Sequence, residues 1–153
     1  MQPEEFKAIQ AKFRQGIEKL ELVRRCLDNL AEKNDIDIAI EDLDKRSGEL
    51  IFWFAGTKYY SRIRITDRDV DDMEPGFRVP IGLLDWGRYG IGAQNESPDQ
   101  TNYYDERGIL FEQEKEEFYC NFSNCDDPQV SRGLLGTLQK LATRTIAINN
   151  AGP

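Results

Sequence analysis

The stretch that decides the fold is IDIAIEDLDKRSGELIFWFAGTKYYSRIRIT, residues 36–66. Apolar and polar residues alternate in its first and last parts, which is the period of two expected of a β-strand with one buried face. Turn-forming residues at 45–48 and 56–58 separate three such runs. Because short connections join antiparallel neighbours, residues 35–66 predict a three-stranded antiparallel meander.

The middle run of this meander is apolar on both of its sides. Alternation places Leu50, Phe52 and Phe54 on one face, and Ile51, Trp53 and Ala55 on the other. Either protein covers both faces, or the Trp53 side is a binding surface flanked by Tyr60, Arg62 and Arg64. The working prediction is cover by protein.

Two amphipathic helices are predicted to flank the β-rich part of the chain. The N-terminal helix covers residues 1–32, with Pro3 in its first turn and apolar residues at every third or fourth position. The C-terminal helix covers residues 127–148, with Asp126 or Asp127 as its N-cap and Pro128 in its first turn. Its wide apolar stripe predicts that it packs on the sheet.

A second β region is predicted at residues 77–122. Its strands are expected at 77–84, 88–93, 109–113 and 117–122, with a long loop at 94–108. Glycines in this region are interpreted as turns and a bulge, since no phosphate-binding motif contains them. They are Gly82, Gly87, Gly90 and Gly92. The whole chain, 1–153, is therefore predicted to be one α+β domain: a long N-terminal helix, an antiparallel sheet of about six to seven strands and a C-terminal helix.

The absence of histidine narrows the chemistry more than any residue that is present. It excludes serine–histidine and cysteine–histidine nucleophilic catalysis and most catalytic zinc sites. The acidic run at 67–74 resembles a calcium loop, but Asp72 stands where such a loop needs glycine and Arg78 where it needs glutamate. We therefore predict no metal and no cofactor.

Cysteine content and hydropathy bear on the compartment. Cys26, Cys120 and Cys125 form an odd, sparse set, which is typical of reduced thiols inside a cell. No apolar run is long enough to cross a bilayer, and the first residues lack the pattern of a signal peptide. The expected location is the cytoplasm.

Negative charge is concentrated in the middle of the chain. The net charge is −8, but residues 67–127 alone hold 16 acidic and 5 basic residues, a net −11. Such a field attracts basic partners and repels nucleic acid, although acidity also serves solubility alone. We hypothesise a partner-binding surface made of Asp67, Asp69, Asp71, Asp72, Glu74, Tyr103, Tyr104, Glu112, Glu114, Glu116 and Glu117, with both tyrosines exposed.

The favoured function is thus a non-enzymatic protein-binding module. It would be an inhibitor or immunity-type protein that docks its acidic face on a basic toxin or a nucleic-acid-handling protein, without binding nucleic acid itself. The alternative is an adaptor that homodimerises through Phe6, Ile9 and Phe13 of the N-terminal helix. A carboxylate-dependent enzyme, with a pocket at Asp85, Arg88 and Tyr89, is the third hypothesis.

Overall fold

The structure is a computed structural model that describes residues 2–69, 78–90, 97–110 and 118–151. The elements in chain order are α1 (Pro3–Asn34), β1 (Ile38–Ile40), β2 (Glu49–Phe54), β3 (Thr57–Asp69), β4 (Arg78–Arg88), β5 (Gln100–Tyr104), β6 (Ile109–Leu110), β7 (Phe118–Cys120) and α2 (Pro128–Ala151). Each strand pairs antiparallel with its neighbour in the chain.

The predicted class is confirmed, because an N-terminal helix, an antiparallel sheet and a C-terminal helix are all present. Strands β1–β5 form the body of the sheet, while β6 and β7 are segments of two and three residues. The predicted count of six to seven strands is slightly high for the five-stranded body. That count is reached only when the two short segments are included.

Both helices begin with the residues that the sequence indicated. Gln2 and Glu5 form a capping box at the start of α1, whose first residue is Pro3. The helix ends at Asn34, and the next residue, Asp35, has the left-handed backbone conformation of a C-cap. At α2, the Asp127 carboxylate accepts a hydrogen bond of 2.9 Å from the backbone N–H of Gln129, as an N-cap does. Among the described residues, no helix is long and apolar enough to cross a membrane.

The two helices pack on the same face of the sheet. Tyr59 and Thr145 share a hydrogen bond of 3.0 Å between their hydroxyls, which ties β3 to α2. Tyr104 donates from its hydroxyl to the backbone carbonyl of Lys12 at 2.7 Å, which ties β5 to α1. The core lies between this face, called here the helix-covered face, and the helices; its largest buried side chains are Trp86, Phe52, Phe122, Leu20, Leu27, Leu30, Leu50 and Leu84.

The second β region differs from the prediction in two ways. Strand β4 runs unbroken from 78 to 88, across the break predicted at 85–87, and β5 lies inside the stretch 94–108 that was predicted to be a loop. Of the strand predicted at 88–93, residues 91–93 lie outside the described residues. The first error comes from Gly87, which falls in the predicted break but lies within β4, as Gly82 does. A tyrosine ring from a neighbouring strand packs over each of them, so a side chain at either position would collide with that ring.

Candidate functional site: the helix-free face of the sheet

The opposite face of β2–β5, called here the helix-free face, carries no helix of the described chain. Strand alternation places on it the residues Glu49, Ile51, Trp53, Lys58, Tyr60, Arg62, Arg64, Leu83, Asp85, Thr101 and Tyr103. Trp53 is 40% exposed, and Tyr89, at the end of β4, is 37% exposed. The prediction that protein covers the Trp53 side is therefore wrong for the described part of the chain, because both helices use the other face.

Lys58 holds the two exposed rings of this face together. Trp53 pairs with Lys58 across β2 and β3, and Tyr89 donates its backbone N–H to the Lys58 carbonyl at 2.8 Å. The Lys58 ammonium lies 5.7 Å from the Trp53 ring centroid and 4.2 Å from that of Tyr89, within the range of cation–π attraction. No carboxylate of the described residues forms a salt bridge with Lys58.

The next residues along the strands form a tighter layer. Tyr60 pairs with Gly87 and lies across it, since a Cβ on Gly87 would be 2.8 Å from the Tyr60 hydroxyl oxygen. The Arg62 guanidinium covers the ring at 4.5 Å and forms a salt bridge with Glu49. This cover leaves Tyr60 only 5% exposed, and burial raises the pKa of its phenol.

A bidentate ion pair crosses the middle of the face. The Arg64 guanidinium donates to both carboxylate oxygens of Asp85, at 2.7 and 3.2 Å, and the Thr101 hydroxyl donates to the same carboxylate at 2.8 Å. Hydrogen bonding to Asp85 raises the pKa of Arg64. Because the carboxylate is nearly buried and has three donors, it fixes the position of the Arg64 guanidinium.

The two adjacent tyrosines of β5 have opposite orientations. Tyr103 pairs with Leu83 on the helix-free face and is half-buried, whereas Tyr104 faces α1 and is 3% exposed. The expectation that both tyrosines are exposed is thus wrong for Tyr104, because alternation in a strand sends neighbours to opposite sides. Burial raises the pKa of Tyr104 far above its usual range.

The acidic residues of the hypothesised partner-binding surface lie mostly outside the described residues. Asp67 is exposed near the end of β3, and Asp69 is its last residue. Asp71, Asp72, Glu74, Glu112, Glu114, Glu116 and Glu117 are not described. The strand ends that flank 70–77, Asp69 and Arg78, lie at one end of β3 and β4, whereas those that flank 111–117, Leu110 and Phe118, lie level with the middle of these strands.

The hypothesised dimer contact has one freely accessible residue. Phe6 is 56% exposed, whereas Ile9 and Phe13 are half-buried, with Phe13 packed against the core. An open groove of about 460 Å³ runs beside them. Its lining consists of Ile9, Gln10, Phe13, Arg14, Arg46 and Ile65.

The described residues offer little for catalysis or for metal binding. Asp85 and Tyr89 lie on the helix-free face, but Arg88, between them, points to the other side, so the three do not form the pocket that the enzyme hypothesis needs. No group of three or more described carboxylates and thiols is arranged to hold a metal ion. An open cleft of about 400 Å³ beside α2 has Arg132 and Lys140 in its lining.

Comparisons with protein-family models, with curated proteins and with solved structures found no match for this chain.

Sequence reasoning named part of the helix-free face and missed the rest. Tyr60, Arg62 and Arg64 follow from the alternation of β3 alone. The sequence instead suggested Asp85 and Tyr89 as parts of an enzyme pocket. Their positions opposite β3 depend on the register between β3 and β4. Such a register is set by long-range packing and cannot be deduced from the local pattern.

Proposed function

We propose that this protein is a non-enzymatic protein-binding module whose contact surface is the helix-free face. One observation carries the proposal: an exposed tryptophan and an exposed tyrosine flank Lys58 on a sheet face that no described helix covers. Tryptophan, tyrosine and arginine are the residues that most often dominate binding energy at protein interfaces. The Trp53–Lys58–Tyr89 corner supplies the rings, and Arg62 and Arg64 lie beside it.

The charges of this face indicate the chemistry of the partner's surface. Glu49 and Asp85 already neutralise Arg62 and Arg64 within the sheet, so Lys58 is the cation that a partner can still pair among the described side chains of this face. A fitting partner is a protein with a flat patch of apolar side chains and a carboxylate opposite Lys58. Nucleic acid fits poorly, because the net charge of −8 repels phosphates and one unpaired lysine offers little compensation.

The acidic residues support a second, separable part of the proposal. Asp67 and the acidic segments beyond the described residues would attract a basic region of the same partner, as an inhibitor or immunity-type protein would do. Contacts of that kind act mainly on the association rate and weaken in salt. Contacts on the aromatic corner act mainly on the dissociation rate.

The test compares matched pairs of surface substitutions. Trp53→Ser with Tyr89→Ser removes both exposed rings of the corner, and Leu135→Ser with Ile146→Ser removes two exposed apolar side chains of α2 as the control. The amount of each protein captured by the wild type is compared with the amount captured by each variant. The partner selected in this way is then purified for binding measurements. We expect a loss of at least tenfold in affinity for the corner variant and little change for the control.

Two outcomes decide the proposal. If every partner binds the corner variant and the α2 control equally well, the helix-free face is not the contact surface. For the acidic part, Asp69→Lys with Asp71→Lys and Glu114→Lys with Glu116→Lys should slow association at low salt and have little effect at high salt. If both acidic variants associate at the wild-type rate at low salt, the acidic residues do not guide binding.

A homodimer through α1 is the second candidate function, and the exposure of Phe6, one turn before the groove residues Ile9 and Gln10, favours it. Phe6→Glu is the informative variant, because Phe13 packs against the core and its substitution would also destabilise the fold. We expect a dimer that becomes monomeric on Phe6→Glu, measured by analytical ultracentrifugation. A wild-type protein that is monomeric at high micromolar concentration would exclude this candidate.

A further inference from the structure

Two cysteines from distant parts of the chain meet beside the core. Cys26 lies in the second half of α1 and is 2% exposed, and Cys125 lies between β7 and α2 and is half-buried. Their sulfur atoms are 2.6 Å apart, although 99 positions separate the residues in sequence. This distance is only about 0.6 Å longer than the S–S bond of a disulfide.

The backbone around the second cysteine is held against α1 by several contacts. The Cys26 thiol donates to the backbone carbonyl of Phe122 at 3.2 Å, and the Asn29 side-chain amide donates to the carbonyl of Cys125 at 3.2 Å. Lys33 forms a salt bridge with Asp126 one turn further along α1. The segment is therefore positioned by contacts on both sides of Cys125, and not by the two sulfurs alone.

We infer that Cys26 and Cys125 form a redox-active dithiol, a modification site that a small-molecule disulfide oxidises to an intramolecular cross-link. Cys125 is the more accessible thiol, so its thiolate attacks one sulfur of the small disulfide and releases the other half as a thiolate. The Cys26 thiolate then attacks the Cys125 sulfur and releases the second half. Two protein thiols lose their protons and two electrons, and the small disulfide becomes two thiols.

The reaction needs little movement of the protein, because the sulfurs are already adjacent. It would lock the start of α2 to the middle of α1. In a reducing compartment the pair stays as thiols, in agreement with the sparse cysteine set of this chain, and the cross-link forms when the compartment becomes oxidising. Closing a loop of this length restricts the unfolded chain, so we expect the melting temperature to rise by on the order of 10 °C.

The experiment uses the full chain treated with oxidised glutathione and, in parallel, with dithiothreitol. After oxidation we expect an intact mass lower by two hydrogens and, on proteolysis, a peptide pair joined between Cys26 and Cys125, which dithiothreitol separates. The matched control is Cys120→Ser, which should form the same cross-link with the same rise in melting temperature. Cys125→Ser should form none and should melt at one temperature in both treatments.

Three results would overturn the inference. They are a glutathione adduct at Cys125 that persists without closing to Cys26, a cross-link that involves Cys120, and an oxidised wild type that keeps three alkylatable thiols. Because Cys125 is half-buried and serine is nearly isosteric, Cys125→Ser is expected to fold, so a missing cross-link in that variant reports the chemistry. A failure of the helix-free face to bind a partner has no bearing on these results.

Discussion

Each face of the sheet buries a tyrosine ring over a glycine of β4, but the two rings are covered by different groups. On the helix-covered face, Tyr104 lies over Gly82, and a Cβ on that glycine would be 2.0 Å from the ring. On the helix-free face, Tyr60 lies over Gly87 in the same way. Helix α1 then covers Tyr104, whereas the Arg62 guanidinium covers Tyr60.

The difference shows how a layer of helices changes the burial of one face of a sheet. Both tyrosines are nearly inaccessible to solvent. On the helix-free face a charged side chain, and not a helix, packs over the ring. Such side chains do not cover the whole face, since Trp53 and Tyr89 stay exposed at its corner. The helix-free face therefore keeps aromatic surface available for a partner, whereas the aromatic residues of the helix-covered face are buried in the core.

The largest contrast is expected between two adjacent residues of β2. Phe52 is fully buried against Tyr59 and Trp86, and Trp53 points to the helix-free face. Phe52→Ala should lower the free energy of unfolding by about 3–5 kcal/mol, and Trp53→Ala by about 1 kcal/mol or less. Urea denaturation followed by circular dichroism measures both, and equal losses would remove the distinction between the faces.

The two glycine–tyrosine pairs allow the rigidity of the two faces to be compared by the stability cost of a glycine-to-alanine substitution. Gly82→Ala should cost about 1–3 kcal/mol in unfolding free energy, because Tyr104 is confined between the strand and α1. Gly87→Ala should cost clearly less, because Tyr60 can swing outward past Arg62. Chemical denaturation of the two variants gives the answer, and a Gly87→Ala cost as large as that of Gly82→Ala would mean that the helix-free face is equally rigid.

A smaller effect is expected from the ion pair on the helix-free face. In a double-mutant cycle with Arg64→Met and Asp85→Asn, we expect a coupling energy of about 1 kcal/mol, because the pair is bidentate and Asp85 is nearly buried. The control cycle uses Arg24 and Asp42, whose closest nitrogen and oxygen are 3.7 Å apart and of which Asp42 is fully exposed; it should give a coupling of a few tenths of a kcal/mol. Identical couplings in the two cycles would show that the sheet does not preorganise Arg64.

The smallest effect at neutral pH concerns ionisation of the two buried tyrosines. Burial raises the pKa of both Tyr60 and Tyr104 above 10.0, so the folded state favours the neutral phenols. The stability that this preference gives is fully present below pH 10 and is lost as the pH rises above it. We expect ultraviolet titration to show Tyr104 ionising after Tyr60, and Tyr104→Phe to remove the later step. Ionisation of both near pH 10 in the folded protein would contradict their burial.

The elements with a clear local signal could be predicted from the sequence. Three features are local patterns: the apolar spacing of α1 and α2, the helix-start signals at Pro3 and Asp127, and the alternation in 36–66. The structure has the corresponding helices and strands. Gly87 gave the wrong local signal, because a glycine in a turn and a glycine under a cross-strand ring look alike in sequence. The partner tyrosine is 22 residues from Gly82 and 27 from Gly87 in the chain, and no local pattern links them.

The sequence by itself determined the class of this protein: two amphipathic helices around antiparallel strands, without histidine chemistry and with its acidity in the middle of the chain. Periodicity and composition depend only on neighbouring residues, so they are readable without a fold. Only the tertiary structure decided that both helices take one face, that Trp53 and Tyr89 meet around Lys58 on the other, and that Cys26 touches Cys125. Those contacts join residues far apart in sequence, and the register and packing that bring them together are properties of the whole chain.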